Sequence, residues 1–147
     1  EKPAAHLTGR SSRESENGTL QWEHTKGLAF WRDLRYQGRA LVCSKPGYYY
    51  VYSRLYLWMH GCPGSQTNPF FTHSVYKKTP RYPEEMLVLS NTLPYCDRAD
   101  EGTWSRNSFL GGIVHLEEKD QLYVKAMPSS LVRVKDGTRT YFGAFMI

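Results

Sequence analysis

The stretch Gly47–Trp58, GYYYVYSRLYLW, constrains this chain more than any other. Aromatic and β-branched residues dominate it, and no Pro or Gly breaks it after the first position, which predicts one long β-strand. A strand with one buried face alternates apolar and polar residues. This one does not. The odd set is Tyr49, Val51, Ser53, Leu55 and Leu57, and the even set is Tyr48, Tyr50, Tyr52, Arg54, Tyr56 and Trp58. Both sets carry large apolar area, so both faces need cover. A second sheet of the same chain covers one. The simplest cover for the other is a neighbouring copy of the chain. Helices on both sides would do the same, but 147 residues are too few to supply them.

The remaining segments read as short strands joined by turns. Strands are expected at Pro3–Gly9, Thr19–His24, Gly27–Trp31, Arg39–Ser44, Phe70–Lys78, Met86–Asn91, Phe109–Leu116, Gln121–Met127, Leu131–Val134 and Arg139–Ile147. Loops or turns are expected at Arg10–Gly18, Arg35–Gly38, Gly61–Asn68, Thr79–Pro83, Pro94–Asn107, Glu117–Asp120 and Lys135–Thr138. Pro80 and Pro83 bracket Thr79–Pro83 and argue for a loop there. No helical period persists over about 11 residues. Many short strands at regular spacing predict an all-β sandwich or barrel, as one domain over residues 1–147. Phe109–Leu116 and Thr140–Ile147 repeat the two-faced pattern. In the last strand Phe142, Ala144 and Met146 face the core, and Tyr141, Phe145 and Ile147 face out. Three such strands side by side would expose more apolar area than a monomer tolerates, and a closed symmetric oligomer removes it. Gly111-Gly112 allows close backbone approach or a bulge.

The formal charge is +5. Lys and Arg are scattered rather than blocked, so no nucleic-acid partner is expected. No apolar run approaches the roughly 20 residues of a membrane span. The opening at Glu1, directly before a strand, reads as one domain trimmed from a longer protein. Cys62 and Cys96 lie in two different loops. They are either a disulfide, which would stabilise by roughly 3–4 kcal/mol in the chain-entropy model, or two free thiols. Cys43 lies in an apolar run and is expected buried and free. Asn17-Gly18-Thr19 is a glycosylation triplet in a polar stretch. Disulfide and triplet together point to an extracellular setting. His6, His24, His60, His73 and His115 have no metal-ligand spacing, and no hydrolase, P-loop or zincin motif occurs. Glu84-Glu85 and Glu117-Glu118 are sequence neighbours, so in extended chain each pair points to opposite sides. No enzyme, metal or cofactor is expected.

The segments AAHLTG (Ala4–Gly9), LQWE (Leu20–Glu23), GYYYVYS (Gly47–Ser53), FLGGIVHLE (Phe109–Glu117) and YFGAF (Tyr141–Phe145) occur in the order found in tumour necrosis factor superfamily ligands. The chain resembles the receptor-binding domain of that family over nearly its whole length. Within the family, GLAF, YKKTPRYPEE and LVRVKDGTRTYFGAFMI are most similar to the LIGHT branch. PYC and DQLYV lean to the Fas ligand branch.

The resemblance implies a jelly-roll β-sandwich assembled as a homotrimer. Carried over by position, Tyr52, Phe109 and Tyr141 line the three-fold axis, with Tyr50, Phe145 and Ile147 nearby. His6 and His115 would lie close to it, which makes pH-dependent assembly an expectation. The family disulfide matches Cys62 and Cys96. Receptors bind in grooves between protomers. Tyr82 is the expected anchor, and Arg81 and Lys78, which flank it, are expected to meet acidic receptor loops. The Arg10–Glu16 loop and the Val134–Arg139 turn lie opposite, so Arg10, Arg133, Lys135 and Arg139 are candidate contacts.

The implied protein is an extracellular cytokine, a type II membrane ectodomain or its shed form. It would cluster cysteine-rich tumour necrosis factor receptor superfamily members. Candidates are herpesvirus entry mediator, lymphotoxin-beta receptor, a soluble decoy receptor or a Fas-like receptor, with immune co-stimulation or apoptosis as the outcome. The competing reading is a trimeric recognition module of the complement-globular-head type, though no Gly-X-Y repeat accompanies it.

Overall fold

The computed structural model of the chain describes residues 1–11, 17–62, 70–96, 102–135 and 137–147. Residues 12–16 of the expected Arg10–Gly18 loop and parts of the loops around Cys62 and Cys96 lie outside the described residues, as does Asp136. Twelve strands occur among the described residues. They are β1 (Ala4–Gly9), β2 (Trp22–Glu23), β3 (Phe30–Arg32), β4 (Leu34–Gln37), β5 (Ala40–Cys43), β6 (Gly47–His60), β7 (Phe70–Thr79), β8 (Tyr82–Pro94), β9 (Thr103–Leu116), β10 (Gln121–Met127), β11 (Val132–Arg133) and β12 (Tyr141–Met146).

These strands form two antiparallel sheets of a jelly-roll sandwich. In the first sheet β6 is central. One edge of β6 pairs with β9 along its whole length, from Gly47↔Leu116 to His60↔Thr103. Its other edge is shared by β12 and β11. β1 extends the sheet beyond β12 and carries β2 and β3 on its far edge. The second sheet runs β4-β5-β10-β7-β8.

The inward residues of β6 fulfil the period-2 expectation. Tyr49, Val51, Ser53, Leu55 and Leu57 are fully buried between the sheets, together with Trp22, Phe71, Trp104 and Phe142. Burying such side chains is the dominant favourable term in folding. One polar chain crosses this core. His73 of β7 places Nδ1 2.7 Å from Ser108 Oγ and Nε2 3.0 Å from Ser53 Oγ. Asn91 Nδ2 donates to the same Ser108 oxygen at 3.0 Å. Burial pushes the His73 pKa down to about 3, so the ring stays neutral. Cys62 and Cys96 form a disulfide, with Cα atoms 5.5 Å apart. Cys43 is buried and free, as expected.

Several element boundaries differ from expectation. Of the expected turn Arg35–Gly38, the first three residues belong to strand β4, and the turn is Gly38–Arg39, both with positive φ (58° and 68°). That is the pair of conformations a tight two-residue hairpin favours, with Arg standing where Asn or Gly is usual. The expected loop Thr79–Pro83 shrinks to Pro80–Arg81, since Thr79 already pairs with Tyr82. Pro83 is tolerated because β8 is an edge strand. The expected loop Pro94–Asn107 yields its last five residues to β9, which begins at Thr103. Its outward Thr103, Ser105 and Asn107 are polar and hid the inward Trp104, which is 1% exposed. β2 covers only Trp22–Glu23, β3 starts at Phe30, and β12 starts at Tyr141. A 3-10 turn, Ser129–Leu131, takes the start of the expected Leu131–Val134 strand.

Candidate functional site: an aromatic sheet face and a tight hairpin

Cross-strand register builds the outward face of the first sheet row by row. One row runs Gly111–Tyr52–Gly143–His6–Phe30 across β9, β6, β12, β1 and β3. The next runs Ile113–Tyr50–Phe145–Ala4. On the other side lies Phe109–Arg54–Tyr141–Thr8. Tyr50 and Tyr52 stack with centroids 6.1 Å apart. Tyr50 meets Phe145 at 5.6 Å and Tyr52 meets Tyr141 at 5.9 Å.

The face stays open to solvent over much of its area. Tyr48 is 61% exposed, Ile113 65%, Ile147 54% and Phe109 53%. The structure therefore gathers Tyr50, Tyr52, Phe109, Tyr141, Phe145 and Ile147 on one surface. It adds Tyr48, Ile113 and Phe30. Phe30 was legible only as part of a short strand, because its row is set by long-range pairing.

The glycines in these rows are ring seats rather than bulges. A Cβ on Gly111 would come 2.2 Å from Tyr50 Oη, and one on Gly143 would come 2.2 Å from Tyr52 Oη. The β6–β9 register is continuous through Gly111-Gly112. His6 sits among the rings. Its Nδ1 is 2.6 Å from Tyr52 Oη, and its ring is 5.1 Å from that of Tyr141. Burial lowers its pKa and, with the nearby Tyr141, raises that of Tyr52 to about 12. His115 lies at the other end of the face against Tyr48, at 4.8 Å.

Beyond Arg54 the same face turns basic. An open cleft of about 880 Å³ is lined by Tyr56, Trp58, Arg133, Lys135, Gly137 and Arg139. The Arg133 guanidinium lies 5.3 Å from the Trp58 ring and that of Arg139 lies 4.9 Å from Tyr56. Three expected contact residues thus share one cleft with an aromatic floor. In the sequence its two rings read only as part of the apolar outward set of β6.

Tyr82 stands at the β7–β8 hairpin, 49% exposed. Lys78, beside it, is exposed and falls where the β7–β8 register shifts. Arg81 Nη2 donates to Asp120 Oδ1 at 2.8 Å, and Asp120 is fully buried. Arg10 is exposed at the end of β1. Within one chain the Tyr82 hairpin and the basic cleft are not brought together. Arg81 ties the hairpin to the turn after β9, whereas the cleft lies where β9 begins. Asn17 is exposed, and its Oδ1 accepts from the Thr19 N–H at 3.1 Å and the Thr19 hydroxyl at 2.8 Å. Among the described residues no group of three or more His, Cys, Asp or Glu is placed to hold a metal ion.

The TNF (Tumour Necrosis Factor) family model matches residues 20–147. The chain is 31% identical over 147 residues to tumor necrosis factor ligand superfamily member 6 of Homo sapiens, covering 99% of this chain and 49% of that protein. The Sus scrofa member 6 is 32% identical, with the same coverage. Member 15 of Mus musculus is 29% identical over 162 residues, covering 99% of this chain and 63% of that protein. The chain spans about half the length of the member 6 relatives it matches. Sequence family, two-sheet sandwich and loop-tying disulfide agree: the chain belongs to the tumour necrosis factor family.

Proposed function

We propose that this chain is the single receptor-binding domain of an extracellular cytokine that works as a homotrimer. The observation that carries the reading is the open aromatic face of β9, β6, β12 and β1. Exposed apolar surface of that extent marks an interaction site. A three-fold ring covers it when the β8–β9 edge of one copy, with Leu87 56% exposed, packs on the face of the next. That contact is heterologous and closes after three copies. Tyr52, Phe109 and Tyr141 then line the axis, with Tyr50, Phe145 and Ile147 around them.

The trimer acts by geometry. Three equivalent grooves gather up to three receptors and bring their cytoplasmic tails together. Tyr82 and Lys78 of one copy form one wall of a groove. Arg10, Arg133, Lys135 and Arg139 offer the charged contacts. An exposed Tyr on a short hairpin is a rigid aromatic anchor of the kind that dominates binding energy. The receptors belong to the tumour necrosis factor receptor superfamily. On the LIGHT side of the kinship they are herpesvirus entry mediator, lymphotoxin-beta receptor or a soluble decoy, and on the other side a Fas-like receptor. The outcome is co-stimulation or apoptosis accordingly. The protein acts at the cell surface as a type II ectodomain or after shedding, and Asn17 carries an N-linked glycan.

Light scattering tests the foundation. Three copies of 17.0 kDa give a mass of about 51 kDa. A stable 17.0 kDa species would remove the trimer and the grooves with it. Titration of the trimer with the receptor ectodomains named above then identifies the partner.

A further inference from the structure

The hairpin that carries Tyr82 lacks the turn chemistry that usually aims a two-residue hairpin. Such loops favour positive φ at both central residues, because their twist then matches that of the strands. The Gly38–Arg39 hairpin obeys this rule. The Pro80–Arg81 hairpin does not. The Pro80 ring excludes positive φ, and Arg81 does not adopt it. The β7–β8 register shifts between Lys77 and Thr79, just before the tip. A bulge bends a strand and increases its twist, and leaves a residue unpaired. The direction of this tip therefore needs an outside support.

The support is Asp120, 39 residues away in sequence. Its carboxylate has no exposed surface. One oxygen accepts from Arg81 Nη2 at 2.8 Å and the other from the Glu117 N–H at 2.9 Å. Its backbone carbonyl accepts from the Cys43 N–H at 2.8 Å, and Cys43 O accepts from the Lys119 N–H at the same distance. Asp120 is thus locked to β5 and to its own turn. The Asp120 end of this pair is buried while the Arg81 side chain stays 55% exposed, and removing the cation leaves the buried charge unpaired. Arg81 is held by this pairing at its guanidinium, while its N–H lies 3.4 Å from Thr79 Oγ1.

We propose that Arg81 and Asp120 are positioning residues. Arg81 is a strut that braces the tip against the body of the sandwich and holds Tyr82 in the orientation its receptor meets. Its effect on binding passes through Tyr82 and not through contact with the receptor. This rests on the receptor-binding reading above, and it replaces the expectation that Arg81 meets acidic receptor loops.

A double-mutant cycle tests the strut, with the trimer immobilised and the receptor ectodomains named above as probes. Tyr82→Ala weakens binding at least tenfold. Arg81→Gln and Asp120→Asn each weaken it about fivefold, as expected for residues coupled through one anchor. In the Tyr82→Ala background neither weakens it further. Arg81→Lys, which keeps the charge without the planar fork, gives an intermediate loss. A further loss from Arg81→Gln on top of Tyr82→Ala would show direct contact and overturn the proposal.

Amide hydrogen exchange over residues 79–85 of the unbound trimer gives a second readout. It speeds up in Arg81→Gln and Asp120→Asn. Unchanged exchange in both overturns the strut whatever the receptor. A wild-type trimer that binds none of the receptors sinks the receptor reading, and the exchange result still decides whether the strut exists.

Discussion

On the inward side of β6, Tyr49, Val51, Ser53, Leu55 and Leu57 have no exposed surface; on the outward side, Tyr50, Tyr52, Arg54, Tyr56 and Trp58 keep part of theirs, and Tyr48 keeps 61%. Both sides carry large apolar side chains, mainly aliphatic inward and aromatic outward. Their surroundings differ. The inward side meets a second sheet of the same chain, and its polar atoms are matched one by one, as Ser53 is by His73. The outward side meets its neighbours in the sheet and, past Arg54, the turn before β12. It divides into an aromatic half up to Tyr52 and a basic half beyond Arg54. Apolar content tells how much cover a surface needs. Whether that cover comes from the same chain is a question of topology.

Substitutions on the two sides should therefore separate folding from assembly. The largest effect is expected from Tyr52→Asp. Three like charges brought to one axis should raise the trimer dissociation constant at least a thousandfold, about 4 kcal/mol. Sedimentation should show the monomer with an unchanged far-ultraviolet spectrum. A persisting trimer would mean the axis runs elsewhere. Leu55→Ala, three residues on but facing in, should do the opposite. It should lower unfolding stability by about 2–5 kcal/mol in urea and leave the oligomer mass of the folded protein alone.

The inward side also carries a pH dependence. His73 has its pKa lowered from 6.5 to about 3 in the folded state. The unfolded chain therefore takes up this proton first as pH falls. The stabilisation is complete above about pH 6.5 and is lost progressively towards pH 3. At pH 5 the loss is about 2 kcal/mol. Urea midpoints measured between pH 7 and 5 should fall in the wild type and fall less in His73→Gln; parallel slopes would assign the effect to other groups. The smallest effect is expected from Gly143→Ala. The new methyl would lie 2.2 Å from Tyr52 Oη and 2.6 Å from the Ala5 carbonyl oxygen. Overpacking of this kind costs about 1–3 kcal/mol. Because the ring is the softer neighbour, part of the cost should appear as weaker trimer association. A purely intrachain loss would mean that the Tyr52 ring stays in place.

The two-sided character of β6, β9 and β12 was legible because a strand has a period of two, and large residues filled both phases. The core partners Phe142 and Ala144 followed from the same parity. Strand ends were less legible. Trp104 was read into a loop because the residues alternating with it are polar. The turn after Tyr36 was misplaced because Arg39 adopts a positive φ with its guanidinium donating to the Thr19 carbonyl at 2.9 Å, a support from a distant segment. The basic cleft was half legible. Its cations stood out as a group near the C-terminus, but its aromatic floor lies more than 70 positions earlier and is joined to them only by sheet pairing. Asp120 carried no local signal. It looked like any polar turn residue, and its role depends on Arg81 far away in the chain.

The continuous pairing of β6 with β9 has a further consequence for how this molecule can change over generations. Each strand has 14 residues, and the ladder runs without a register shift. Inserting or deleting one residue inside either strand would turn every side chain beyond it to the opposite side. Core leucines would become surface and surface tyrosines would become core in a single step. Diversity along these strands must therefore arise by exchange of side chains at constant length. Gains and losses of residues are left to the connecting segments, so homologues can acquire new loops while their central pair of strands keeps the same count.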